Sequence, residues 1–141
     1  MATTRTAAAH WEGSLLDGKG RVSLESSGLG IYDVTWASRA QAPEGRTSPE
    51  ELIAAAHSAC FSMSLSKGLA QAGTPPQSID TRADVTFQPG EGITGVHLTV
   101  RASVEGMDAE QFRAAAEEAK RNCPVSQALT GTTITMDAEL A

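Results

Sequence analysis

Hydrophobic and polar residues alternate in the first third of the chain in a way that predicts short strands. Residues 7–27 show strand, turn and strand, with Asp, Gly and Lys supplying the turn at positions 17–20. Residues 31–36 are β-branched and aromatic, so they predict a third strand. A loop with Pro and Gly follows at residues 41–46, and Arg39 is predicted where the third strand runs into it.

The strongest local signal begins a long helix. Ser48 suits the N-cap, Pro49 suits the first helical position, and Glu51 completes an S-x-x-E capping box. The helix is predicted to run to about Ala72, because Gly and two Pro follow. Its many Ala and Ser residues leave room for another backbone, so we expect a central helix packed on more than one side. Its apolar positions recur at spacings of three and four: Leu52, Ala55, Ala56, Ala59, Met63 and Leu69.

The remaining chain alternates between strand and helix patterns. Residues 79–87 and 96–104 predict two antiparallel strands joined by a turn. Residues 109–121 predict an amphipathic helix, which Pro124 ends while starting a short helix through Leu129. Residues 132–140 predict a last strand. The order β-β-β-α-β-β-α-β indicates the α+β class.

Composition and charge narrow the range of functions. The 141 residues are 40% hydrophobic with a net charge of −6, which predicts one globular domain over residues 1–141. Acidic residues outnumber basic ones and no basic cluster is present, which argues against binding to nucleic acid or to an anionic membrane surface. No apolar stretch reaches the roughly 20 residues of a membrane span, and the N-terminus lacks a signal-peptide core. We therefore expect a soluble cytoplasmic protein.

The two cysteines, Cys60 and Cys123, are the first candidates for chemistry. They lack CxxC spacing and cannot form a disulfide-rich scaffold. Cys123 lies at a helix start, where backbone N–H groups favour a thiolate. Cys60 is not at a helix start, so no free backbone N–H groups are expected to favour its thiolate. A reactive Cys60 would need a nearby cation, for which Arg39 and His57 are candidates. The alternative is that both cysteines pack as small hydrophobic residues.

Two further polar residues have several possible roles. Glu51 is explained by the capping box, whereas Glu50 has no specific local duty. His57 could be a helix-surface residue, a partner of Cys60 or a metal ligand. The three histidines lack a metal-binding spacing, so we predict no metal site.

In their order along the chain, several motifs resemble those of the OsmC/Ohr group of thiol-dependent peroxidases. His57 matches the OsmC branch, since the hydroperoxide-resistance branch looks more like Gly-Tyr there. The similarity covers nearly the whole chain and is carried by residues 9–13, 18–20, Arg39, 47–63, 78–81 and 123–129.

The resemblance implies a reaction and a role for each matching residue. It implies that Cys60 is the peroxidatic cysteine and Cys123 the resolving one, with Arg39 and Glu50 holding the reactive centre. Thiolate attack on an organic hydroperoxide would release an alcohol and leave a sulfenic acid, which condenses to a Cys60–Cys123 disulfide. A dithiol or a lipoylated protein would reduce that disulfide, without a metal, haem or flavin, and the cycle would protect against oxidative stress.

The resemblance also implies an OsmC-like intertwined homodimer, with antiparallel sheets wrapped around long central helices and active sites at the subunit interface. Apolar walls would favour organic hydroperoxides over hydrogen peroxide, with Ile53, Phe61 and Met63 as wall candidates.

Two other functions stay open from the sequence. A dimeric ligand-binding protein of the same fold would keep its binding after Cys60→Ser. A thiol-disulfide oxidoreductase acting on proteins would show exchange without peroxide, although CxxC spacing is lacking.

Overall fold

A computed structural model describes residues 1–141 and confirms the α+β class. The chain divides into two compact units, Met1–Leu52 and Ile53–Ala141, and the single domain stays a prediction. None of the helices is both long and apolar enough to cross a membrane. The elements, in chain order, are β1 (Ala8–Glu12), β2 (Lys19–Ser23), β3 (Ile31–Val34), α1 (Trp36–Ala40), α2 (Pro49–Gln71), β4 (Ser78–Gln88), β5 (Gly92–Ser103), α3 (Ala109–Asn122), α4 (Pro124–Ala128) and β6 (Ile134–Leu140).

The first unit contains an antiparallel sheet in the order β1-β2-β3. The turn between β1 and β2 closes through the Gly18 N–H, which donates to the Ser14 carbonyl at 2.8 Å. A Cβ atom at Gly18 would collide with the carbonyl oxygens of Ser14 and Glu12, so this close approach requires glycine. The predicted hairpin is therefore confirmed, but its turn lies earlier than the predicted residues 17–20, because Lys19 and Gly20 pair with β1 as part of β2.

The third strand is shorter than predicted, because a helix begins where residues 35 and 36 were expected to be extended. The Thr35 side chain accepts from the Ser38 N–H at 3.0 Å, and Ser38 Oγ accepts from the Thr35 N–H at 3.0 Å. This reciprocal capping box starts α1. Arg39 accordingly lies in the last turn of a helix, and its predicted place at a strand end is wrong.

Helix α2 follows its predicted bounds closely. Ser48 Oγ accepts from the Glu51 N–H at 3.1 Å, while the Glu51 carboxylate accepts from the Thr47 hydroxyl at 2.6 Å. The helix ends before Gly73, whose φ of 85° is in the left-handed region typical of such caps. The predicted start and end are confirmed.

Only one face of α2 is buried within the second unit. Phe61, Leu65 and Leu69, which are four residues apart, are each 0% exposed. Another face carries Ala55, Ala59 and Met63, which are exposed although they were predicted as packed positions. The chain itself therefore leaves an apolar stripe of α2 open to solvent.

The second unit has a three-stranded sheet in the order β4-β5-β6. The antiparallel pairing of β4 with β5 was predicted, but β6 runs parallel to β5, so the expectation of purely antiparallel sheets is wrong for this pair. The long connection through α3 and α4 is what allows a parallel return. The buried core joins α2, β5 and α3 and comprises Phe61, Leu65, Leu69, Val96, Leu98, Val100, Ala102, Val104, Phe112, Ala116, Ala119 and Cys123.

Candidate active site

The structure brings the two cysteines together in the second unit. Cys60 is half-buried on α2, and Cys123 is fully buried at the junction of α3 and α4. The Cys60 thiol lies beside the Cys123 thiol and near the backbone N–H of Val125, close enough for both groups to influence its pKa. Both thiols are free, so the pair is a dithiol with a backbone donor beside it.

The surroundings of Cys60 disfavour its thiolate. Burial raises the pKa of the Cys60 thiol, the Val125 N–H lowers it, and the neighbouring Cys123 thiol raises it again. None of these three influences is a positive charge. A reactive thiolate at this position therefore calls for a cation in addition.

A backbone N–H at the start of α4 also lies near the thiol of Cys60. Cys123 is the N-cap of α4, as predicted, and Pro124 follows as the first helical residue. The N–H of Val125 in that first turn reaches the Cys60 thiol across the fold. The expectation that Cys60 lacks such help is wrong, because a residue distant in sequence supplies it.

Arg39 and Glu50 form a second cluster, in the first unit. Arg39 Nε lies 2.9 Å from Glu50 Oε1, and its Nη2 atom lies 3.0 Å from Glu50 Oε2, which is a two-point interaction. The Glu50 side chain is 8% exposed and that of Arg39 is 30% exposed. Ser38 Oγ also donates to the Thr47 carbonyl at 3.1 Å, which ties α1 to the segment before α2. Local sequence indicated no partner for Glu50, but the family resemblance implied its pairing with Arg39, and the two side chains are in contact.

An apolar cavity of about 370 Å³ adjoins Arg39. Its lining includes the rings of Trp11 and Trp36 together with Leu15 and Pro49. Sequence patterns predicted strands at both tryptophans, and only the fold showed that they line one cavity with Arg39. The arrangement offers an apolar surface next to a positive charge.

His57 is buried, so the structure excludes the helix-surface role among the three that the sequence left open. Its Nε2 atom lies 2.7 Å from Ser126 Oγ, and its Nδ1 atom has no hydrogen-bond partner. Burial lowers the pKa of His57, so the imidazole is neutral at pH 7. The contact joins α2 to α4, the helix that follows Cys123.

A larger cavity, of about 710 Å³, opens beside Cys60. Met63 lines it, as expected, but Phe61 points into the core because it lies on the buried face with Leu65. Ile53 does not line this cavity either. The other lining residues come from α2 and from the region of α3: Ser64, Lys67, Gly68, Gln71, Ala72, Ala114, Ala115, Glu118, Ala119, Asn122 and Pro124.

Comparisons with known proteins show what the chain as a whole is similar to. The chain is 45% identical to peroxiredoxin OsmC of Escherichia coli, with 99% of each chain covered. It is 33% identical to organic hydroperoxide resistance protein OhrA of Bacillus subtilis, covering 66% of this chain and 67% of that protein. An OsmC-like protein from Mycoplasma pneumoniae has the same fold, with a TM-score of 0.73, 11% identity and coverage of 100% and 99% of the two chains. The family described as OsmC-like protein matches residues 42–139. This chain belongs to that family.

Proposed function

We propose that this protein is a thiol-dependent peroxidase that reduces organic hydroperoxides to alcohols and so protects against oxidative stress. The observation that carries the proposal is the contact between the Cys60 and Cys123 thiols. Two thiols in contact can become a disulfide without large movement of the backbone. The names of the E. coli and B. subtilis relatives support the same chemistry.

The proposed reaction has two steps on the protein. The Cys60 thiolate attacks one peroxide oxygen, the O–O bond breaks, and the other oxygen leaves as an alcohol after taking up a proton. Cys60 then carries a sulfenic acid. The Cys123 sulfur attacks the Cys60 sulfur, and hydroxide leaves with the thiol proton as water. The products are an alcohol, one water and a Cys60–Cys123 disulfide.

The proposed role of Arg39 is to supply the positive charge that the Cys60 thiolate needs, with Glu50 holding the guanidinium. The two-point contact between Arg39 and Glu50 supports this role, since it orients the guanidinium plane. The raised pKa of Cys60 supports it too, because burial opposes the thiolate when no cation is present.

Reduction of the disulfide would begin at Cys60. Cys60 is the more accessible of the two sulfurs, whereas Cys123 is 0% exposed. An external dithiol or lipoylated protein would therefore attack Cys60 and release the Cys123 thiolate. The open cavity beside Cys60 provides access for such a reductant.

We further propose that the protein is an intertwined homodimer. The exposed stripe of Ala55, Ala59 and Met63 on α2 is an apolar helix face without a cover in the chain. The first unit also exposes several large hydrophobic residues: Trp11, Leu15, Leu16, Leu29, Ile31 and Tyr32. Ala59→Glu should lower the sedimentation coefficient to that of a monomer, whereas Ala109→Glu, at an exposed position on α3, should leave it unchanged. A monomeric native protein would contradict the homodimer.

The peroxidase is tested by adding one equivalent of an organic hydroperoxide, or of hydrogen peroxide, to the reduced protein. We expect a mass loss of two hydrogens, with Cys60 linked to Cys123 in peptide maps, and faster reaction with the organic compound. Cys60→Ser should abolish consumption, and Cys123→Ser should stop after one oxidation. Thiols that stay reduced would favour a ligand-binding protein, and disulfide exchange without peroxide consumption would favour a thiol-disulfide oxidoreductase.

A further inference from the structure

Two side-chain contacts join the same two segments of the second unit. Cys60 of α2 contacts Cys123, and His57 of α2 contacts Ser126 of α4. His57 precedes Cys60 by three residues, and Ser126 follows Cys123 by three residues. Residues three apart share a helix face, so the two contacts are neighbours, and they pair the two segments in antiparallel order. The thiol pair is one of these non-covalent contacts, and the histidine–serine pair is the other.

The histidine–serine contact is buried on both sides. His57 is 0% exposed and Ser126 is 5% exposed, and the Nε2–Oγ distance is 2.7 Å. His57 Nδ1 is buried without a hydrogen-bond partner, which costs stability. An apolar side chain of similar size would avoid this cost. His57 therefore contributes a fixed geometry rather than stability. A directional hydrogen bond restricts the position of α4 on α2 more than apolar packing does.

Ser126 lies next to Val125, whose N–H is near the Cys60 thiol and lowers its pKa. A hydrogen bond that fixes the position of Ser126 therefore also restricts Val125 and Cys123, because α4 is a single short turn that starts from Cys123. We propose that His57 is a positioning residue for disulfide formation: through Ser126 it keeps Cys123 and the Val125 N–H against Cys60. This inference rests on the proposed peroxidase function for its catalytic meaning, but its geometric part concerns the dithiol alone.

The step that depends on this geometry is the second one. Attack of the Cys123 sulfur on the Cys60 sulfenic acid needs the two sulfurs close and aligned, and a displacement of 1 Å can cost about 100-fold in rate. The first step uses the Cys60 thiolate, the peroxide and the proposed charge of Arg39, and it does not require the Cys123 sulfur to be aligned with Cys60. Loss of the His57–Ser126 bond should therefore slow condensation much more than the reaction with peroxide.

The variants are Ser126→Ala, His57→Leu and His57→Gln, whose amide nitrogen can donate to Ser126 in place of Nε2. Ser62→Ala is the matched control, because Ser62 also lies on α2 and donates at 2.7 Å to Thr81 of β4 rather than to α4. Each protein receives one equivalent of hydroperoxide, and the sulfenic acid is trapped with dimedone at timed intervals. Unfolding by denaturant is measured alongside.

We expect condensation to be about tenfold slower or more in Ser126→Ala and His57→Leu. His57→Gln should restore most of the rate, and Ser62→Ala should condense at the native rate even where its stability falls. Native condensation rates in Ser126→Ala and His57→Leu would overturn the inference. So would slowing in Ser62→Ala that matches its loss of stability, since the effect would then be general.

A second measurement separates this inference from the proposed function. Equilibration of each variant with reduced and oxidised glutathione gives the effective concentration of the two thiols for each other, without any peroxide. We expect it to fall in Ser126→Ala and His57→Leu and to stay native in Ser62→Ala. If the native protein ignores hydroperoxides but these shifts are present, the function fails and the positioning role stands. If peroxide turnover is normal and the effective concentration is unchanged in Ser126→Ala and His57→Leu, only the positioning role fails.

Discussion

The two units of the chain have very different interiors. In the second unit, strands and helices bury a continuous apolar core, and β6 alternates between half-buried and exposed residues along its length. In the first unit, every residue of β1 is exposed, and the buried side chains are those of Ser38 and Glu50. The interior of the second unit is apolar, whereas that of the first unit consists of a capping box and an ion pair.

This difference separates two tasks. The cysteine pair lies in the unit that has a core, where rigid packing can hold two sulfurs in contact. The arginine–glutamate pair lies in the unit whose hydrophobic residues are largely exposed, with Leu29 77% and Ile31 64% exposed. The proposed homodimer would therefore cover more exposed hydrocarbon in the first unit, which is why it matters for the proposed role of Arg39.

Truncation of the core should give the largest difference between the units. Phe61→Ala should lower the free energy of unfolding by about 3–5 kcal/mol, because Phe61 is fully buried. Ile31→Ala should cost about 0.5 kcal/mol or less in dilute protein, since the side chain is mostly exposed. Denaturant unfolding at several protein concentrations measures both. Equal losses at every concentration would contradict the contrast between the units.

The ion pairs of the two units provide the next comparison. Arg39→Ala should cost about 1.5–3 kcal/mol, because it removes the charged partner of the buried Glu50 carboxylate. Arg82→Ala, which breaks an exposed pair with Asp84 in the second unit, should cost about 0–1 kcal/mol. Arg39→Lys should recover only part of the loss, since an ammonium cannot make the two-point contact. Similar losses in Arg39→Ala and Arg82→Ala would show that the burial of Glu50 adds nothing.

The reactivity of Cys60 tests whether the two clusters act together. Burial raises the pKa of its thiol, so alkylation by iodoacetamide should speed up as the pH rises and the thiolate forms. If Arg39 opposes this shift, Arg39→Ala should move the midpoint of the alkylation profile to higher pH. Each unit of that movement lowers the thiolate fraction about tenfold at neutral pH. Identical midpoints in the native protein and the variant would exclude charge support from Arg39.

The smallest predicted effect is the loss of stability when His57 becomes protonated at acidic pH. Burial lowers its folded-state pKa, so the unfolded chain binds the proton more readily. The contribution of His57 to stability is therefore complete above its unfolded pKa of about 6.5 and is lost as the pH falls towards its folded pKa. The native protein should lose more stability than His57→Gln between pH 7 and pH 5. Parallel curves in denaturant titrations would contradict the assignment.

Features that depend on neighbouring residues could be predicted from the sequence. The start of α2 follows from Ser48 and Pro49, and its end from Gly73, because these residues satisfy or terminate the helix locally. The missed helix α1 also had a local signal, the reciprocal capping pair Thr35 and Ser38, which outweighed the β-propensity of the segment. The direction of Phe61 was readable too, from its four-residue spacing to Leu65 and Leu69.

Features that depend on contacts between distant segments could not be predicted in this way. Alternation is the same in parallel and antiparallel strands, so it did not distinguish the parallel pairing of β6 with β5. The contact of Cys60 with the Val125 N–H and that of His57 with Ser126 join residues more than 60 positions apart. Their distances depend on how α4 packs on α2, which no local pattern encodes.

The sequence by itself determined every element type except the short helix α1, both ends of α2 and, through its resemblance to a family, the residues to examine, because capping and periodicity act over a few residues. Only the tertiary structure decided which groups meet. It placed a backbone donor and a second thiol on Cys60, and it buried His57 against Ser126. It did so because burial of the apolar face of α2 with β5 and α3 sets the positions of these polar groups.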